Sequence, residues 1–199
     1  MVDNSAQARW DAIYSDAPGI GGADPFVTES DFLPEAPCTV LDVAGGKGAT
    51  ALWLAGKGYD TTLLDVSEVA LDIASQEADL RDVELITFHH DLESGPPLTG
   101  KWDVIVCANF LDRGFYSMLR EHLNPDGIAF LRVATATNLE RNSKPSRRFL
   151  VEIGELPELL FDLEPLSFTE DWFDGRHEAR MICRRVLRLS GSKLSQLRK

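Results

Sequence analysis

The sequence predicts an α/β protein: a doubly wound, mostly parallel sheet of about seven strands with an antiparallel C-terminal strand. Short β-rich runs alternate with helical patterns of about 10–15 residues, the spacing of right-handed βαβ units covering both faces of a parallel sheet. The first run, Thr39–Val43, opens directly onto a glycine-rich turn, Ala44-Gly-Gly-Lys-Gly48. The 199 residues are 44% hydrophobic and 26% charged, a globular composition with material for one large core.

Taken in order, Thr39–Val43 is the first strand and Ala49–Lys57 a helix, ended by Gly58. Thr61–Asp65 is the second strand. Ser67 caps a helix through Asp79, with Val69, Ala70, Ile73 and Ala74 as its inward stripe. Val83–Phe88 and Trp102–Cys107 are the third and fourth strands. A helix over Phe115–Leu123 leads through an Asn124-Pro-Asp-Gly127 turn to a fifth strand, Ile128–Val133. A polar, basic loop (Thr135–Arg148) and a helix near Glu155–Phe161 follow. Leu166–Thr169 and Ala179–Leu187 then pair antiparallel around Asp174-Gly-Arg-His-Glu178. The expected organisation is one domain over 1–189, with 1–34 as an N-terminal helical cover and 190–199 as a flexible tail.

Charge and cysteines narrow the function. Acidic residues number 32 and basic ones 20, a net −12, and residues 1–100 alone hold 18 acidic against 4 basic. Nucleic-acid binders need Lys and Arg facing phosphates, so no nucleic-acid partner is expected. No run approaches a membrane span, and the polar N-terminus lacks a secretory core, so no membrane partner and a cytoplasmic location are expected. Cys38, Cys107 and Cys183 are odd in number and far apart, which fits neither a disulfide framework nor a metal site.

In doubly wound sheets ligands sit beyond the carboxyl ends of the strands, at the turn after the first. A triphosphate loop needs Ser or Thr after its lysine, and here Lys47 precedes Gly48. A dinucleotide fingerprint is matched by Gly46, Gly48 and Ala51, with Asp65 standing 17 residues after Gly48. Asp42 argues against it, because a carboxylate at the mouth repels a pyrophosphate. It favours a cationic ligand bearing an ammonium and a sulfonium, as S-adenosylmethionine does.

The ordered segments VLDVAGGKGATALWLA, LLDVS, HHDLES, WDVIVCANFLDR and LNPDGIAFLRV resemble the class I S-adenosylmethionine-dependent methyltransferases over roughly residues 5–189. The chain is most similar to the small tellurite-resistance (TehB-like) branch. Trp10-Asp11-x-x-Tyr14 with Asp24-Pro25-Phe26 resembles that branch's N-terminal cover, and Phe149–Leu156 its segment after the fifth strand. Three positions depart from the branch: Gly45 and Lys47 in the turn, Asp112-Arg113 after the fourth strand, and Arg147-Arg148. Lys47 is expected to point outward or to pair with an acid.

The resemblance implies a Rossmann-like methyltransferase fold and assigns roles residue by residue. Asp42 meets the methionyl amine, and Ala44, Gly45 and Gly46 pass the cofactor by backbone. Asp65 accepts the ribose hydroxyls, with Val66 beside it. Asp91 and the Leu92 N–H face the adenine, and Asn109 the methionyl part. Each carboxylate has a plainer reading as a helix cap or loop residue. Tyr14, Phe26 and Phe110 stand as an aromatic wall or as core. Arg113 and Arg148, with Arg141, Lys144 and Arg147, are placed to hold an oxyanion or to be solvated. His89 and His90 read as satisfied strand-end residues and Cys107 as core, so no catalytic residue is named. The expected activity is methyl transfer to a small molecule, with a soft nucleophile or an oxyanion as acceptor, by a monomer or homodimer. An NAD-linked oxidoreductase and a non-catalytic cofactor-binding regulator remain as alternatives.

Overall fold

The computed structural model describes residues 5–17, 19–95 and 98–186. The expected tail over 190–199 lies outside them. Fifteen elements follow in order: α1 (Ala6–Asp16), α2 (Pro25–Thr28), β1 (Thr39–Val43), α3 (Ala49–Gly56), β2 (Asp60–Asp65), α4 (Glu68–Arg81), β3 (Ile86–His89), β4 (Trp102–Ala108), α5 (Arg113–His122), β5 (Leu123–Ala134), 3-10 turns at Ala136–Glu140 and Arg147–Phe149, α6 (Glu155–Leu159), β6 (Glu164–Phe173) and β7 (Arg176–Arg184).

The seven strands form one sheet in the order β3-β2-β1-β4-β5-β7-β6. Pairs from β3 to β5 are parallel, while β7 is antiparallel to both neighbours. β7 alone runs against the rest. The chain reverses between β2 and β4 through β1, which puts the β1 turn at the topological switch point.

Strand alternation sends two sets of side chains to two cores. Leu41, Val43, Ile105, Cys107, Leu131, Val133 and Met181 pack with α5 and α6. Val40, Val104, Val106, Phe130 and Ile182 pack with α2 and α3. Asp42 shares the parity of Val40 and faces the second layer, among apolar neighbours. The rim strand β3 is exposed at all four positions, Ile86 and Phe88 included.

Several boundaries differ from the expected ones. Asn124–Gly127 does not interrupt the chain before the fifth strand. It lies inside β5 as an irregularity where the register with β4 slips between Trp102 and Val104, and Asp126 takes φ +62°. Leu123 already pairs with Trp102, so strand pairing overrides the local turn preference. β3 starts at Ile86 because Val83–Leu85 is spent leaving α4, whose C-cap Asp82 is left-handed at φ +54°. The last hairpin turns within Asp174-Gly175, both at positive φ, so His177 and Glu178 belong to β7.

Candidate functional site

The turn after β1 is built to expose backbone. Ala44, Gly46 and Gly48 adopt φ of +51°, +58° and +74°. A Cβ on Gly45 would fall 2.6 Å from Leu63 Cδ1 and 2.7 Å from Asp42 Cγ, and one on Gly46 would fall 2.6 Å from the Tyr14 hydroxyl. A side chain at either position forces its neighbours to shift, and at Gly46 the left-handed backbone adds strain. The N–H of Gly45 donates to the Leu64 carbonyl at 3.3 Å, fixing the turn against the end of β2.

Two buried carboxylates flank this turn. Asp42 is 3% exposed, and burial pushes its carboxyl up to about 7, against the pull of the Ala51 N–H and with added repulsion from Asp65 and Asp24. Asp65 is also buried. Its oxygens accept from the N–H groups of Gly46 at 2.8 Å and Ser67 at 2.9 Å, which leaves further lone pairs on both. Burial raises its carboxyl despite those bonds.

The cover closes over the turn from α1. Asp11 accepts from the Ser67 hydroxyl at 2.5 Å and the Val69 N–H at 3.3 Å, tying α1 to the start of α4. Tyr14 stacks on Trp10 at 5.6 Å, and burial with the nearby Asp65 charge pushes its phenol up to about 12. Lys47 corrects the expectation made for it. It points neither outward nor to an acid; it is 8% exposed and donates to the carbonyls of Ala17 at 2.6 Å and Gly19 at 3.0 Å. The segment after α1 presents bare carbonyls there, and an ammonium with three donors satisfies two at once.

The loop after β3 supplies the third wall. Asp91 accepts from the N–H groups of Glu93 and Ser94 and from the Ser94 hydroxyl, which hold its carboxyl below the usual range. Leu92 packs on the larger core. His89 meets the Val66 carbonyl at 3.0 Å, as a satisfied residue does. His90 does not conform to that reading, because its Nε2 is buried with no hydrogen-bond partner.

Other expected site residues are already engaged. Asn109 sits at φ +63° and accepts from Arg176 at 2.9 Å. Phe110 packs against the larger core, and its carbonyl accepts from the Tyr116 hydroxyl at 2.8 Å. Phe26 lies edge-on to Phe130 at 5.9 Å in the α2 layer, as core. The Arg113 fork is filled by Glu155, at 2.5 and 3.0 Å, and joins α5 to α6. Arg148 lies 3.8 Å from Glu93 and over the Phe149 ring at 4.3 Å, so it bridges two loops at the rim.

Sequence reasoning missed a charged cluster at the ends of β5 and β7: Arg132, Arg176, Glu178 and Arg180, with Asp24 from the α2 cap. One signal existed. Arg176, Glu178 and Arg180 recur with period two along β7, so all three share one face.

An adenosyl donor with ammonium and sulfonium groups fits these residues. The turn offers close backbone approach, the flanking groups are acids, and an orphaned polar atom waits at the β3 loop. A polyphosphate does not fit two buried carboxylates.

The chain also resembles known proteins. Residues 40–127 match the methyltransferase domain family. The mitochondrial ubiquinone biosynthesis O-methyltransferase of Schizosaccharomyces pombe is 28% identical over 109 residues, covering 51% of this chain and 40% of that protein. Its counterpart from Rickettsia typhi is 28% identical over 106 residues, 49% of this chain and 42% of that one. The chain thus spans about two fifths of the length of the curated relatives it matches. TehB from Haemophilus influenzae superposes with a TM-score of 0.66 at 24% identity, over 75% of this chain and 58% of that one. Residues 40–127 thus match a methyltransferase domain, and the chain shares its fold with solved S-adenosylmethionine-dependent methyltransferases.

Proposed function

We propose that the protein transfers a methyl group from S-adenosylmethionine to a small-molecule acceptor. The observation that carries this reading is the pair of buried acids, Asp42 and Asp65, on either side of a backbone-only turn. Asp42 would hold the donor's ammonium and Asp65 its ribose hydroxyls, while Ala44, Gly45 and Gly46 line its length. Val66, Asp91 and Leu92 would flank the adenine, and the Asn109 backbone the methionyl part. When bound, the donor supplies a methyl on a sulfonium, a leaving group that departs as a neutral thioether.

The chain's own contribution is binding, orientation and exclusion of water. Tyr14 and α1 roof the turn. Holding two reactants in line is worth on the order of 7–11 kcal/mol in the best model reactions. The Tyr14 phenol stays protonated and His89 is tied to a carbonyl, so neither serves as a base. That favours an acceptor whose nucleophile is soft or already ionised. The oxygen specificity in the names of the two curated relatives supports an oxyanion over a thiol.

Calorimetry with S-adenosylmethionine and with NAD tests the donor. Tight binding of the first alone is expected, and Asp65→Ala should weaken it by roughly 1–3 kcal/mol through lost charge-assisted hydrogen bonds. Preference for NAD would select an oxidoreductase. Labelled-methyl transfer to panels of phenols, carboxylic acids and thiols tests the reaction; donor binding without turnover on any panel would select a regulator.

A further inference from the structure

We infer that Arg132 and Arg176 form a binding site for a carboxylate carried by the acceptor. The inference rests on the methyl-transfer reading. Register places Arg132 opposite Arg180 and Ala134 opposite Glu178, so these side chains leave one face of the sheet at its carboxyl edge, next to Asn109. Glu178 is 2% exposed and has Arg180 at 3.0 Å, Arg176 at 3.5 Å and Arg132 at 3.7 Å. Asp24 meets Arg132 at 2.9 Å.

Three features separate this cluster from an internal ion network. The first is an unfilled valence. Arg132 Nε is buried with no hydrogen-bond partner, and such a donor is rare in a network that serves stability alone. The second is charge. Three guanidiniums face two carboxylates, an excess of one positive charge, and one negative charge on a ligand balances it. A phosphate dianion would overshoot. Asp42 belongs to the turn, where its charge answers the donor's ammonium. The third is backbone. Asn109 is a non-glycine residue in the left-handed region, held by Arg176 from its side chain and by its own N–H on the Arg132 carbonyl at 2.8 Å. Strain of this kind gathers at ligand clamps.

Planar forked donors read a planar carboxylate. Arg176, with a side chain 41% exposed, is the reachable arm; Arg132, at 19%, is the more enclosed one. Phe173 lies under Arg180 at 3.6 Å, so an aromatic carboxylate finds an apolar neighbour. The arginines expected at the mouth do not compete, since Glu155 fills Arg113 and Glu93 bridges Arg148.

The test is titration of the full chain with benzoate and with benzamide, its neutral isostere, followed by ligand-observed NMR with and without S-adenosylhomocysteine. Benzoate should bind at least about tenfold more tightly than benzamide, and Arg176→Ala should erase that difference. Arg132→Lys, which keeps the charge but loses the fork, should do the same if it melts like the wild type. Arg184→Ala, at the far end of β7, should leave benzoate binding unchanged. Equal binding of the two probes, no benzoate binding, or a loss on Arg148→Ala with Arg176→Ala intact overturns the inference. Failure of wild-type protein to bind S-adenosylhomocysteine would sink the methyl-transfer reading instead, and the two are read separately.

Discussion

Asp42 sets ligand affinity against stability. Its folded pKa of about 7 lies above the usual 3.8, so between those values the native state keeps a proton that the unfolded chain has released. The contribution of Asp42 to stability is therefore greatest below about 4, falls as pH rises toward 7, and levels off above it. Asp42→Asn should flatten that slope and raise stability at pH 8 by roughly 1–3 kcal/mol, read by thermal melts across pH. The same variant should lose affinity for an ammonium-bearing donor, whereas wild-type affinity climbs with pH through about 7. Gly45→Ala makes a second residue-level case. Its methyl would strike Leu63 and the Asp42 carboxyl, and overpacking there should cost about 1–3 kcal/mol in a denaturant melt.

At the scale of elements, α1 is held on by few groups. It has no fully buried side chain, and its anchors are Asp11 on Ser67 and Val69, Tyr14 against Gly46, and Lys47 on the two carbonyls beyond it. Lys47→Met keeps the stem and removes the donors, leaving both carbonyls unsatisfied. Hydrogen exchange over residues 6–17 should quicken about 5–30-fold, the equivalent of 1–2 kcal/mol in local opening, with little change in β1 or β4. The α5–α6 clamp is a milder case. Arg113 and Glu155 are partly exposed, so solvent screening limits Arg113→Ala to a loss of about 1 kcal/mol in a thermal melt.

Over the whole molecule, what the sequence reveals depends on how far away the deciding partner lies. Parallel strands buried on both faces read as apolar runs, and Thr39–Val43, Thr61–Asp65 and Trp102–Cys107 fall within a residue of β1, β2 and β4 for that reason. The acids at the ends of β1 and β2 are equally legible, because their chemistry is local to the turn. Lys47 is not, since its partners are the carbonyls of residues 17 and 19, and a carbonyl leaves no mark in a sequence. Arg113 reads as free until Glu155, 42 residues on, arrives beside it. The Arg132–Glu178 cluster needs β7 to insert between β5 and β6, a pairing that no local pattern announces. Asn124–Gly127 carries a strong turn signal, yet the neighbouring strand enforces extension.

Lys47 also makes the molecule its own stopwatch. Trypsin cuts after lysine only when the peptide is laid out straight in its cleft, and here that side chain is folded under the roof with both its acceptors overhead. Scission at that bond must wait for the roof to lift, so the nicking rate counts how often the turn is bared, and any molecule that keeps the roof shut slows the count.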